Sequence, residues 1–292
     1  MSGRSHLWSR RFAVAGALAG LLMLVVPMVA SPKATEETYE VRRHVLLTME
    51  GNLPPVEDEE AGRVVAAYKI NPNIWESGEV PVPVRFNAAN SPSEHNPEAL
   101  VQNALNEWSN VSGSYFKFEW AGSSLADAST CGSPFKADGV NTVTFVTTLS
   151  PVTLGITCTV WRPNAGANAP LIEFDMQLNA NINWGSGPTI AAGEYDLAST
   201  ILHELGHAAG LAHSCTAFCT GTEEAAVMYR ALSSQVQKRS LRPDDITALT
   251  EAYPISDVTP TPSPTPLATA TPTVPTSSGL GFNIRAPGLA RD

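Results

Sequence analysis

"HELGHAAGLAHS", His203 to Ser214, decides how this chain is read. His203 and His207 stand four residues apart, so on a helix they project from one face about one turn apart. Leu197, Ile201, Leu205 and Ala208 fall on the opposite side, which predicts a helix that begins after Asp196 and buries that side against a sheet. Two imidazoles on an accessible face can share a tetrahedral zinc. Glu204 follows His203 and is rotated toward the side of the metal, where a carboxylate acts as a base and not as a ligand. Gly210 can take the left-handed conformation that ends a helix and turns the chain. The turn brings His213 back as a third ligand. A fourth position stays open for a water that Glu204 activates, as in a catalytic site and not a structural one. A bare HExxH recurs by chance; the added glycine and third histidine make the pattern far more specific.

The surrounding sequence sets bounds. The chain has 292 residues, a hydrophobic fraction of 43% and a formal net charge of -10. That charge argues against nucleic acid and anionic membranes as partners. Arg4, Arg10 and Arg11 precede an apolar run from Phe12 to Ala30, which reads as a signal peptide over 1–30. The expectation is a secreted or extracellular protein, with attachment to the cell envelope as the other outcome. Residues 31–75 are acidic and weakly patterned, with "VEDEEAG" at Val56 to Gly62, and read as a leader or pro-segment. From Val258 the chain turns to "TPTPSPTPLATATPTVPTSS", which favours extended, solvated backbone; 257–292 reads as a Thr/Pro-rich linker and tail. One folded domain over 76–256 remains, expected to be monomeric.

Within it, "VPVPVRF" (Val80 to Phe86) reads as an opening strand whose prolines suit an edge. "NPEALVQNALNEWSNV" (Asn96 to Val111) reads as a helix with Asn96 as N-cap, Pro97 in the first turn, and Leu100, Ala104, Leu105 and Trp108 on one face. Strands are expected at Ser114 to Trp120, Asn141 to Thr148, Gly155 to Trp161 and Leu171 to Asn179. "RPDDITALTEAY" (Arg242 to Tyr253) reads as a last helix with aspartates in its first turn. The cysteines are Cys131, Cys158, Cys215 and Cys219. Four cysteines allow three connectivities; the expected pairs are Cys131–Cys158, which flank the strand at Asn141, and Cys215–Cys219, which close a short loop.

His203, Glu204, His207, Gly210 and His213 match the metzincin zinc signature, and Ser214 is typical of its matrixin branch. "VMY" at Val227 to Tyr229 resembles the matrixin Met-turn, with Met228 beneath the zinc. "LRPDDITALTEAYP" (Leu241 to Pro254) is similar to the closing helix with its two aspartates. The resemblance implies an α+β, zincin-like domain: a twisted mixed sheet with an antiparallel edge strand, an active-site helix and a C-terminal helix. It implies a zinc endopeptidase acting on protein or peptide substrates that pair with the edge strand. Arg230 stands where a proline usually follows the Met-turn tyrosine. Outside the motif only His6, His44 and His95 remain, which argues against a second zinc; Asp138 and Asp175 are candidate calcium ligands. Many matrixins are held inactive by a leader cysteine. No cysteine precedes Cys131, so the leader is expected to block the cleft without sulfur, through Glu57 to Glu60, or not to block it. A zinc-containing adhesion domain and a hydrolase of non-peptide amides are the competing readings.

Overall fold

A computed structural model of the chain describes residues 39–49, 63–65, 68–132, 135–215 and 221–257. The signal sequence, Glu57 to Glu60 and the Thr/Pro tract lie outside the described residues. The strands are β1 (Glu40–Thr48), β2 (Arg63–Val65), β3 (Tyr68–Ile70), β4 (Val82–Asn87), β5 (Phe118–Ser123), β6 (Thr142–Val146), β7 (Thr153–Trp161), β8 (Leu171–Asn179), β9 (Trp184–Gly185), β10 (Tyr195–Asp196), β11 (Leu211–Ala212) and β12 (Ala231–Leu232). The α-helices are α1 (Pro97–Ser109), α2 (Leu197–Ala208), α3 (Gly221–Ala225) and α4 (Pro243–Ala252).

Seven strands form the main sheet in the order β12-β1-β7-β8-β6-β4-β5. β4 runs parallel to β5 and β6, β6 runs parallel to β8, and β7 is antiparallel to β8. The sheet is mixed with one reversed strand, as the resemblance implies, but that strand, β7, is not at the edge, because β1 and β12 lie outside it. Helices α1 and α2 pack on it through Ala104, Leu105 and Trp108 of the first and Leu197, Ile201, Leu205 and Ala208 of the second, all buried. Removing such apolar surface from water is the main favourable term in folding.

Three expectations need correction. β4 is not an edge strand, because β5 and β6 flank it. Its prolines are tolerated by stagger: Pro83 faces β5 only, and pairing with β6 starts at Arg85. The Pro83 carbonyl instead accepts from the Asn141 side chain at 2.8 Å. Asn96 occupies the N-cap position of α1 in a left-handed conformation, but its side chain caps no amide. The third concerns residues 31–75, read as weakly patterned. Glu40–Thr48 forms a nine-residue strand in the main sheet, antiparallel to β7 on one side and parallel to β12 on the other. The reversed strand β7 therefore has no free outer edge. β3 likewise pairs with β11, just beyond the active-site helix.

Candidate active site

Helix α2 carries the motif and is fixed at both ends. At its start Asp196 accepts from the Ser199 amide at 3.2 Å and holds the Arg239 guanidinium at 2.6 Å. An acceptor at this position satisfies one of the free amides of the first turn. At its end the carbonyls of Ala208 and Ala209 accept from the Trp75 indole and the Tyr253 hydroxyl, both at 2.8 Å. The Trp108 indole donates to Leu202 O at 2.8 Å, so α1 also grips the helix. Gly210 has φ +83°, a left-handed turn that an L side chain resists, and it returns the chain to His213.

That turn brings three imidazoles together. Their Nε2 atoms stand 3.1, 3.1 and 3.3 Å apart, among His203, His207 and His213. His203 Nδ1 donates to Val227 O at 2.7 Å and His207 Nδ1 donates to Leu211 O at 2.8 Å. A neutral imidazole carries one N–H, so those Nε2 atoms present lone pairs. Burial, reinforced by His44, His213 and His203, holds His207 well below the usual histidine range and so neutral. Converging lone pairs repel unless a cation lies among them. Tetrahedral ligands at about 2.0–2.1 Å from zinc stand roughly 3.3 Å apart, which these spacings match. The three residues therefore fit a zinc ion. Among the described residues they are the one group of three or more His, Cys, Asp or Glu donors close enough to share a metal.

Glu204 lies beside the cluster on the same helix. Its Oε2 accepts from the Thr157 hydroxyl at 2.6 Å. A Cβ on Gly155 would stand 2.7 Å from Glu204 Oε1 and 2.9 Å from Cγ, so β7 must be bare there for the carboxylate to reach its place. Met228 lies below. A Cβ on Gly206 would run into its sulfur and into Trp108. The Val227 and Met228 amides donate to Asp245 at 3.0 and 3.1 Å, and the Arg242 amide does so at 2.8 Å. The second aspartate of α4 thus fixes the turn that carries Met228. Burial pushes the Asp245 carboxyl up, and its three amide donors oppose that push.

The sequence spacing places His203, Glu204, His207 and His213 together, as expected. It does not place them on an accessible face: all four are buried. The cause is β1, whose His44 ring stacks on His207 with centroids 4.2 Å apart and planes 12° apart. Leu46 of β1 lines a pocket with Ser199, His203, Val227, Tyr229 and Lys238. Gly155, Thr157, His44 and Leu46 carry no sequence signal that marks them for this site.

Asp138 and Asp175 belong to no group of three or more donors close enough to share a metal among the described residues. Asp175 is buried and accepts from the Thr130 amide and hydroxyl at 2.9 and 2.8 Å and from the Thr142 amide at 3.0 Å. Asp138 accepts from the Val140 amide at 3.0 Å. Cys131 and Cys158 are bonded. Cys215 is disulfide-bonded too, and its expected partner Cys219 lies outside the described residues.

No curated protein matches the chain. The matrixin family model matches residues 161–254, from the end of β7 to just past α4, with all three histidines, Met228 and Asp245 inside it. Over that stretch the chain is similar to the matrixin metallopeptidases.

Proposed function

We propose that the protein is a secreted zinc endopeptidase, with His203, His207 and His213 as metal ligands and Glu204 as general base. Zinc at this site supplies Lewis acidity for the scissile carbonyl and for the attacking water. Glu204 takes a proton from that water and delivers it to the leaving amine, so one carboxylate serves both halves of the hydrolysis. Thr157 orients the carboxylate by donating to its Oε2 at 2.6 Å. With β1 moved aside, the reversed strand β7 would offer backbone groups for an extended peptide, and the pocket beside His203 would receive one side chain. The observation that carries the reading is the set of three converging imidazole nitrogens with Glu204 beside them. Export rests on the sequence of residues 1–30 alone.

The competing adhesion reading has no use for a base held at 2.6 Å by Thr157. The test is cleavage of casein, an unstructured protein, by the full chain and by a Leu46→Glu form that empties the pocket, each beside a Glu204→Gln control. Expected are casein fragments, their loss in Glu204→Gln, and one zinc per chain in all forms by elemental analysis. No cleavage by either active form, or two zinc per chain, would overturn the proposal.

A further inference from the structure

A cavity of about 270 Å³ lies between α1 and the first turns of α2, and none of the three histidines lines it. Small-ligand pockets begin at roughly 300 Å³, so this one suits a small guest. Its apolar lining comes from Ala104 of α1 with Ala198 and Leu202 of α2. Asn103, Glu107 and Arg239 supply the polar side. An apolar surface with a few polar groups around it is the usual make-up of a small-molecule site.

The polar side carries both charges, and they do not neutralise each other. The Arg239 ion pair is with the buried Asp196, not with Glu107. Its Nε donates to Asp196, and its Nη2 donates to Asp196 and to Gly187 O at 2.8 Å. A guanidinium has five N–H groups, so the two on Nη1 are left for a further acceptor. Glu107 Oε1 accepts from the Leu241 amide at 3.3 Å, which leaves Oε2 for a further donor. Asn103 stands one turn before Glu107 on the same face of α1 and adds an amide.

A cation and an anion that do not pair, set around one apolar surface, match a short zwitterion with apolar side chains. A free amino acid holds its two charges on one carbon. A dipeptide spreads them across a peptide unit, as two separated partners require. We propose that this cavity binds a dipeptide with free termini, its carboxylate on Arg239 and Asn103 and its ammonium on Glu107. The same guanidinium holds Asp196, the N-cap of α2, which accepts from the Ser199 amide at 3.2 Å; the Ser199 hydroxyl in turn accepts from the Lys238 amide at 2.6 Å. A bound dipeptide therefore fastens the start of the helix that carries His203, Glu204 and His207. That the dipeptide is a product of this chain's own cleavage rests on the peptidase reading above; the binding does not.

Calorimetric titration of leucyl-leucine into the zinc-loaded full chain tests it without turnover. Expected are one site per chain, a Kd below about 1 mM, and a Tm that rises with dipeptide concentration. N-acetyl-leucyl-leucine lacks the ammonium and leucyl-leucine amide lacks the carboxylate; each should bind about tenfold more weakly or worse. Glu107→Gln keeps an acceptor for Leu241 and loses the charge. It should weaken leucyl-leucine about tenfold and leave the N-acetyl form unchanged. Asn103→Trp, at an exposed position, puts bulk into the cavity and should abolish binding. No binding at about 10 mM leucyl-leucine, or equal binding of the three ligands, would overturn the proposal. Undiminished binding by Asn103→Trp would place the dipeptide elsewhere and overturn it too. Binding as expected, with casein uncut by the parent and by Leu46→Glu, upholds the site and refutes the peptidase reading.

Discussion

The Thr157 hydroxyl donates to Glu204 Oε2 at 2.6 Å, a bond from the reversed strand to the active-site helix that fixes the carboxylate next to His203. Gly155, two residues away on the same face of β7, gives that carboxylate its space. The position and orientation of Glu204 are thus set by a strand nearly fifty residues before it in sequence.

Thr157→Val keeps the shape and removes the donor. The carboxylate loses the bond that orients it beside the histidines. In a form with the cleft open, kcat should fall about tenfold with little change in KM, because the bond serves the base and not substrate binding. Thr157→Ser should restore kcat. An unchanged kcat in Thr157→Val would separate Thr157 from the base.

Gly206→Ala should destabilise the domain without touching a ligand. The new methyl group would meet the Met228 sulfur and stand 2.8 Å from Trp108 Cζ2. Overpacking of this kind costs about 1–3 kcal/mol. For a domain of this size that lowers Tm by roughly 2–12 °C. Thermal unfolding of the zinc-loaded protein measures it. A Tm equal to the parent's would mean that Met228 can move away freely.

Much of this site was legible because its signal is local. The four-residue spacing of His203 and His207 and the glycine turn to His213 follow from helix geometry alone, and the Leu171–Asn179 strand reads directly from its composition. What escaped was non-local. "EVRRHVLLT" puts His44, Leu46 and Thr48 on the inward face, a mixture that does not read as alternating hydrophobicity. Its partner β7 lies more than a hundred residues later. Asp244 and Asp245 look alike as first-turn acids of α4. Only the tertiary contact assigns the second to the amides of Val227 and Met228. The accessible face expected for the histidines was an error of the same origin, since nothing within residues 197–213 announces the strand that covers them.

Asp175 should make stability depend on pH in a defined sense. Burial pushes its carboxyl up to about 7, against the opposing hydrogen bonds from Thr130 and Thr142. An unfolded aspartate titrates near 3.9, so between about pH 4 and 7 the folded state keeps a proton that the unfolded state has released. Stability from this group is therefore full below about pH 4 and is lost as pH rises through 7, by up to about 4 kcal/mol. Asp175→Asn removes the titration. Urea midpoints of the parent should fall relative to those of Asp175→Asn between pH 5 and 7.5; parallel curves would place the carboxyl in its ordinary range.

The last prediction concerns the pocket that holds Leu46. Lys238 lines it, with its ammonium 4.8 Å from the Tyr229 ring centre and donating to Glu224 O and Ala226 O at 2.6 and 3.0 Å. The side chain thus ties the pocket wall to the backbone behind it and limits its depth. Leucine, the residue the chain itself places there, should then be preferred by an open-cleft form over phenylalanine or tryptophan on the leaving-group side of the cleaved bond. Lys238→Ala removes the tie and the bulk of the side chain together. Each methylene of fit is worth about 1–3 kcal/mol in a hydrophobic pocket. The leucine-to-phenylalanine ratio of kcat/KM should therefore drop at least tenfold in Lys238→Ala, mostly through a gain for phenylalanine. A peptide library digested by both forms measures the ratio. An unchanged ratio would show that Lys238 does not bound the pocket, and an equal loss for both residues would assign it to folding.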